Sequence, residues 1–217
     1  MFSTQQIERL LFMVPAILIV ITIHEFSHAL MAFRLGDPTA KALGRLSLNP
    51  IRHLDPVGTL LIVMTMLSGF GIGWGKPVPV DPRYLKPNPK SGMALVSAAG
   101  PLSNVLTAFV LYLPERLQPG FYANDQVWLL VQFVILWSVG LGTFNLLPLP
   151  PLDGFSVLLG LLPNRAAYSF SRLAQYGLGP LFVLIMADSF LHLGILAAIL
   201  GPVQNVIFTF VTGGSFF

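Results

Sequence analysis

The chain has 217 residues, 54% hydrophobic and only 10% charged, where soluble domains carry roughly 25% charged residues. This excludes a soluble globular protein and points to an integral membrane protein whose length suits one helical domain, residues 1–217. The net charge of +3 gives no sign of nucleic acid as a partner, and with no cysteine in the chain any metal must be held by His and carboxylate.

Residues 4–35 predict a first helix, with Thr4 as its N-cap and Gly36-Asp37-Pro38 as its stop. Its apolar part, Leu10 to Phe33, is long enough to span a bilayer with tilt. The C-terminal half of this helix carries His24-Glu25-Phe26-Ser27-His28, an instance of H-E-x-x-H. On a helix, His24 and His28 lie one turn apart on one face and can share a Zn²⁺ ion, with Glu25 beside them as general base. Intramembrane Glu and His are costly, so chance occurrence in this setting is disfavoured.

Residues 36–56 are more polar and carry Lys41, Arg45, Arg52 and His53. The apolar run from Val57 to about Gly69 is short and basic on both flanks, which places both flanks on the cytoplasmic side. It is expected to be re-entrant or interfacial, followed by a glycine-rich stretch at 69–75 that makes a poor helix. Lys76-Pro77-Val78-Pro79-Val80 then predicts an extended β element near the cytoplasmic face. Pro77 and Pro79 would blunt one edge, while Lys76, Val78 and Val80 would present the other to an extended substrate. Pairing of that edge within the protein's own sheet is the competing reading.

Met93 to Leu113 predicts a second span, interrupted at Gly100-Pro101, and 114–126 a polar outer loop. Val127 to Leu147 predicts a third span ending in a proline cluster. A half-helix at 154–162 and a turn with Arg165 and Arg172 follow. Tyr176 to Leu200 predicts a fourth span, and 201–217 an apolar tail at the interface. The expected fold is thus an all-α polytopic bundle of about four to six transmembrane helices with a small β element. Asp188 and His192, one turn apart, are expected to pair within the bundle or to mark a second polar path.

Asp153 is the one acidic residue between Asp125 and Asp188. It suits two roles from the sequence: a third metal ligand leaving one coordination position open, or the cap of the half-helix that follows.

These segments resemble the site-2 protease family of intramembrane zinc metalloproteases. His24 to His28 matches its H-E-x-x-H. Asn145-Leu146-Leu147-Pro148-Leu149-Pro150-Pro151-Leu152-Asp153-Gly154 matches its N-x-x-P-x-P-x-L-D-G, and Gly100-Pro101-Leu102-Ser103-Asn104 is similar to its G-P-x-x-N. Gly75 to Val80 resembles a segment of smaller bacterial members. The resemblance covers about residues 5–160, the expected catalytic core, with C-terminal helices at 161–217 and no PDZ or CBS domain. It implies one Zn²⁺ per chain held by His24, His28 and Asp153, with Glu25 activating water. It implies that Asn145, and Asn104 less directly, hold substrate or oxyanion; for Asn104 a helix–helix hydrogen bond competes. The implied activity is hydrolysis of peptide bonds in or next to transmembrane segments of a single-span membrane-protein substrate, at a site facing the cytoplasm of a bacterial or archaeal cell. A zinc-binding membrane protein or transporter without proteolysis is the alternative.

Overall fold

The computed structural model describes residues 4–68 and 75–214. Among these described residues, nine α-helices follow in order: α1 Thr4–Arg34, α2 Thr39–Ala42, α3 Pro56–Ser68, α4 Pro89–Leu117, α5 Asp125–Asn145, α6 Asp153–Leu161, α7 Asn164–Ser171, α8 Gly179–Leu191 and α9 Ile195–Thr212. Short 3₁₀ turns lie at Pro50–Arg52, Pro82–Tyr84 and Arg172–Tyr176. The long helices begin where local chemistry starts them. Asn88 caps α4 by accepting from the Ser91 N–H, with Pro89 at the first helical position. Asn124 caps α5 by accepting from the Gln126 and Val127 N–H groups, a contribution of about 1 kcal/mol.

Helices α1, α4 and α5 pack on one another, with α6 against α4 and α9 against both α4 and α5. Ala16 and Val20 of α1 meet Val134 of α5 in one cluster, and Ala108, Ile135, Val139 and Val211 form a second between α4, α5 and α9. Small residues set the close approaches. A Cβ at Gly160 would lie 2.3 Å from the Ala94 Cβ, so α6 can rest on α4 only with glycine there.

Among the described residues, four helices are long and apolar enough to cross a membrane: residues 11–34, α4, α5 and α9. Their directions alternate. The α9 C-terminus ends beside that of α4, where Arg116 donates to the Phe210 carbonyl at 3.1 Å. The helix α9 therefore runs parallel to α4, and antiparallel to α1 and α5. It follows that the segment 164–191, bent by 72° between its two halves, leaves from and returns to one face of the bundle, the face at which α1 and α5 end.

Two expectations are corrected. The predicted fourth span at 176–200 is instead two helices, and the predicted interfacial tail belongs to the crossing helix α9. The break falls at His192 and Gly194, both left-handed, and Asp188 stabilises it. Its carboxylate accepts from the Ile195 N–H (2.5 Å) and the Leu196 N–H (3.4 Å), capping α9 from the preceding helix. This is the role of Asp188; His192 is exposed and supplies the left-handed turn.

The β element is the second correction: there is no strand among the described residues. Residues 76–81 lack a ladder partner and are tied down singly instead. The Lys76 N–H donates to the His53 carbonyl (2.8 Å), and the Asp81 N–H to Asp37 Oδ2 (2.7 Å). Pro77 and Pro79 have no N–H to add to a ladder. The glycine-rich expectation at 69–74 lies outside the described residues.

Candidate metal centre

The helical spacing of α1 sets His24 and His28 on one face, with their rings 4.6 Å apart and nearly perpendicular. Both are buried. Each ring has its Nδ1 engaged on α4. His28 Nδ1 lies 2.7 Å from the Val96 carbonyl, to which it donates, and His24 Nδ1 lies 3.2 Å from the Asn104 amide. The two Nε2 atoms consequently turn toward each other, 3.0 Å apart. Gly100 lies between Val96 and Asn104 on the same face of α4. A Cβ there would sit 2.4 Å from His28 Nε2 and 2.6 Å from His24 Cε1. Glycine is required because both rings rest on the α4 backbone.

Asp153 arrives from the far side of the cavity. The α6 N-cap is Leu152, which makes no side-chain cap bond, and Asp153 is the first residue of the helix proper. Its side chain reaches the histidines: Oδ2 lies 3.1 Å from His24 Nε2 and 3.3 Å from His28 Nε2. Between the two sequence readings of Asp153, cap or metal-facing carboxylate, the geometry places it with the histidines. Gly154 permits the approach, since a Cβ there would lie 2.1 Å from the Leu146 carbonyl oxygen at the end of α5.

Three ligand atoms from His24, His28 and Asp153 thus converge, all within 4.8 Å of one another. The triangle with edges of 3.0, 3.1 and 3.3 Å fits a metal. Tetrahedral zinc with bonds of about 2.0–2.1 Å has ligand–ligand edges of about 3.3 Å. Asp153 Oδ2 is buried and makes no well-angled hydrogen bond among the described residues, the mark of an acceptor whose lone pairs need a further partner. Two neutral imidazoles and one carboxylate suit zinc, and three ligands leave a fourth position for water.

The donors open on a cavity of about 400 Å³, lined also by Glu25, Val78, Val80, Phe144, Asn145 and Leu181. Glu25 is half-buried on the α1 turn that carries the histidines. Asn145 donates one Nδ2 hydrogen to the Leu141 carbonyl at 3.0 Å and has a second for the cavity. Val78 and Val80 reach the lining while Lys76 does not; Lys76 acts through its backbone. Asn104 lies behind His24, fully buried, and is not part of the lining.

Sequence reasoning missed Arg45. It is buried, and its guanidinium donates to the Lys76 carbonyl, clamping the start of the 76–81 segment. Burial holds its pKa below the usual guanidinium range, an effect the Glu25 carboxylate partly offsets. Gly75 completes that wall: a Cβ there would lie 3.1 Å from Ile21 and 3.6 Å from Glu25 Oε1. His53 serves the same loop layer, fully buried, with Nε2 donating to the Ser47 carbonyl at 2.6 Å.

A family model described as Peptidase family M50 matches residues 116–187. YwhC of Bacillus subtilis, named as a zinc metalloprotease, is 38% identical over 178 residues, covering 76% of each chain. Rip2 of Mycolicibacterium smegmatis and Rip2 of Mycobacterium tuberculosis, also named as zinc metalloproteases, are 30% and 31% identical over 175 residues, covering 79% of this chain and 65% of theirs. No solved structure matches the chain.

Proposed function

Because the chain belongs to peptidase family M50, the site-2 proteases, and is a multi-pass membrane zinc metalloprotease, we propose that it cleaves peptide bonds in or next to the transmembrane segments of single-span membrane proteins, with His24, His28 and Asp153 as its zinc ligands. The observation that carries this reading is the triangle of donors, open on one side to a cavity at the end of the bundle where α1 and α5 terminate. A soluble substrate would not need a site framed by membrane helices. A transporter reading has less support: a binding site needs no base, whereas Glu25 lines the same cavity.

Bound zinc supplies Lewis acidity, polarising a peptide carbonyl and bringing the pKa of water to about 7. The protein residues supply the rest. Glu25 takes the proton from the attacking water on its carboxylate and delivers it to the leaving amine. The free Nδ2 hydrogen of Asn145 faces the developing oxyanion. The apolar walls, Phe144, Leu181 and the two valines, limit water to what enters from the bundle end. A helical substrate hides its carbonyls in hydrogen bonds and must unwind to react. The extended 76–80 segment offers Val78 as a backbone partner for the unwound chain, with Lys76 fixed by Arg45 and His53. No intramolecular ladder competes for that segment among the described residues.

The reading is tested by incubating purified protein with a panel of single-span membrane substrates, with and without a chelator. Cleavage in the membrane-proximal or membrane-embedded segment, abolished by chelation and restored by Zn²⁺, is expected. The Val78→Pro variant should cleave several-fold more slowly with zinc content unchanged. Cleavage only of soluble peptides, or unaltered cleavage by Val78→Pro, would overturn the substrate class or the docking role respectively.

We also propose that the site-bearing face is cytoplasmic. Lys41, Arg52, Arg83, Lys86, Lys90, Arg165 and Arg172 lie on loops or helix ends at that face, while the opposite 114–126 segment carries the single base Arg116 beside the two acids Glu115 and Asp125. The chain is naturally cysteine-free, so single cysteines report topology directly. Arg165→Cys should label from the cytoplasmic side, and Gln118→Cys and Gly214→Cys from the other. Labelling of positions 165 and 118 from one side would refute the arrangement, and labelling of 214 with 165 would refute the crossing by α9.

A further inference from the structure

Helix α4 contributes no metal-facing donor, yet it touches both histidines through residues one helical turn apart: the Val96 carbonyl, the Gly100 backbone and the Asn104 side chain. The requirements of the two rings differ. His28 Nδ1 faces a carbonyl, which can only accept. Its proton is therefore on Nδ1, and Nε2 is left with a lone pair. His24 Nδ1 faces an amide, which can accept through Oδ1 or donate through Nδ2.

His24 Nε2 is 3.0 Å from His28 Nε2 and 3.1 Å from Asp153 Oδ2, so Nε2 is the atom turned to the metal position. A neutral imidazole that ligates through Nε2 carries its proton on Nδ1. The group facing Nδ1 must then accept. With Nδ2 toward His24, as it stands at 3.2 Å, Asn104 would hold the opposite tautomer, and its Oδ1 is buried with no hydrogen-bond partner. A half-turn of the amide places Oδ1 there with the same heavy-atom outline.

We propose that Asn104 is a positioning residue for the metal centre, accepting the His24 Nδ1 proton through Oδ1 and so fixing both the tautomer and the ring orientation in which Nε2 ligates. It acts through His24 and touches neither substrate nor water: it is fully buried and outside the cavity lining. Val96 does the same for His28 through its backbone, which no substitution can remove. Asn104 is thus the side of the pair that mutation can address. This rests on His24 being a zinc ligand.

The inference is distinguishable from a simple helix–helix hydrogen bond. For an interhelical polar bond alone, an apolar residue of similar volume lowers stability by leaving the His24 ring nitrogen unpaired but does not touch zinc affinity, and a buried carboxylate is the more damaging change. For an acceptor behind a ligand, the order reverses. The test is the zinc affinity of purified, detergent-solubilised protein, measured by competition with a chromophoric chelator, with thermal unfolding of the zinc-depleted protein alongside. Asn104→Leu should weaken zinc about 10–100-fold, the usual effect of losing a partner behind a histidine ligand, over and above the modest fall in unfolding temperature that an unpaired ring nitrogen brings. Asn104→Asp keeps the acceptor and should bind zinc at least as tightly as wild type. Should Asn104→Leu fail to fold, the Asp variant decides alone: affinity reduced tenfold or more overturns the proposal. Equal affinity of the Leu variant and wild type also overturns it, leaving the zinc site itself intact. A wild-type protein that takes up no zinc overturns the metal centre and this role together.

Discussion

Glu25→Gln should give a protein that binds zinc like wild type and cleaves substrate at least about 100-fold more slowly. A positioned general base is worth about 10²–10⁴-fold in rate, and a glutamine amide can hydrogen-bond water but cannot take its proton. Zinc should remain because Glu25 is outside the His24, His28 and Asp153 triangle. The substitution is nearly isosteric and half-buried at the cavity wall, so the fold has little reason to change. Metal analysis and cleavage assays on the same preparation check both halves. Residual cleavage near the wild-type rate would remove Glu25 from the mechanism. Loss of zinc would make it a ligand instead.

Much of this was legible in the residues because it depends on short-range geometry. His24, Glu25 and His28 announce themselves through helical spacing in a run where charge is expensive. Hydropathy places the starts of α4 and α5 at Met93 and Val127; the helices begin slightly earlier, at Pro89 and Asp125, because Asn88 and Asn124 cap them. The second half of the site was not legible in that way. Asp153 is 125 positions beyond His28, and an aspartate before a glycine at a helix start serves a cap as well as a ligand. What separates the two readings is tertiary: Gly154 lets α6 press on the end of α5, and that contact aims Asp153 across the cavity. From the sequence, the family pattern was the sole guide to this.

The errors have equally local causes. A hydropathy reading runs through Asp188 to Gly194 because one aspartate and one histidine barely lower the average. The helix nonetheless breaks there, since Asp188 binds the α9 N–H groups better than it could pair with an exposed His192. Alternating Pro and Val at 77–80 resembles a strand edge, but a strand exists only with a partner. Here the flanking groups bond to His53, Asp37 and Arg45. Arg45 itself reads as one more basic loop residue. Nothing in its neighbours but Gly44, which takes a left-handed turn at φ 67°, hints that the chain folds back and buries it.

The same logic of close approach makes Gly100→Ala a small change aimed directly at the two histidines. In an ordinary helix interior, Ala in place of Gly is favourable by about 0.8–1 kcal/mol, so α4 should form as well as before or better. The added methyl carbon, however, would stand 2.4 Å from His28 Nε2 and 2.6 Å from His24 Cε1, more than an ångström inside van der Waals contact. The rings cannot yield without breaking their Nδ1 bonds to Val96 and Asn104, and any shift carries Nε2 away from Asp153. Glycine at this position is therefore a requirement of the metal centre and no requirement of the helix. Gly100→Ala should lower zinc affinity by at least about 100-fold, more than the removal of one supporting hydrogen bond does, and abolish cleavage. It should also lower the unfolding temperature of the zinc-depleted protein, because the clash and the broken ring bonds cost more than the helix gains. Unfolding measurements with chelator present, paired with zinc titration, separate the two effects. A Gly100→Ala protein that holds zinc and cleaves normally would mean that the imidazoles do not rest on α4 in the working enzyme, and that the ligand triangle forms in some other way.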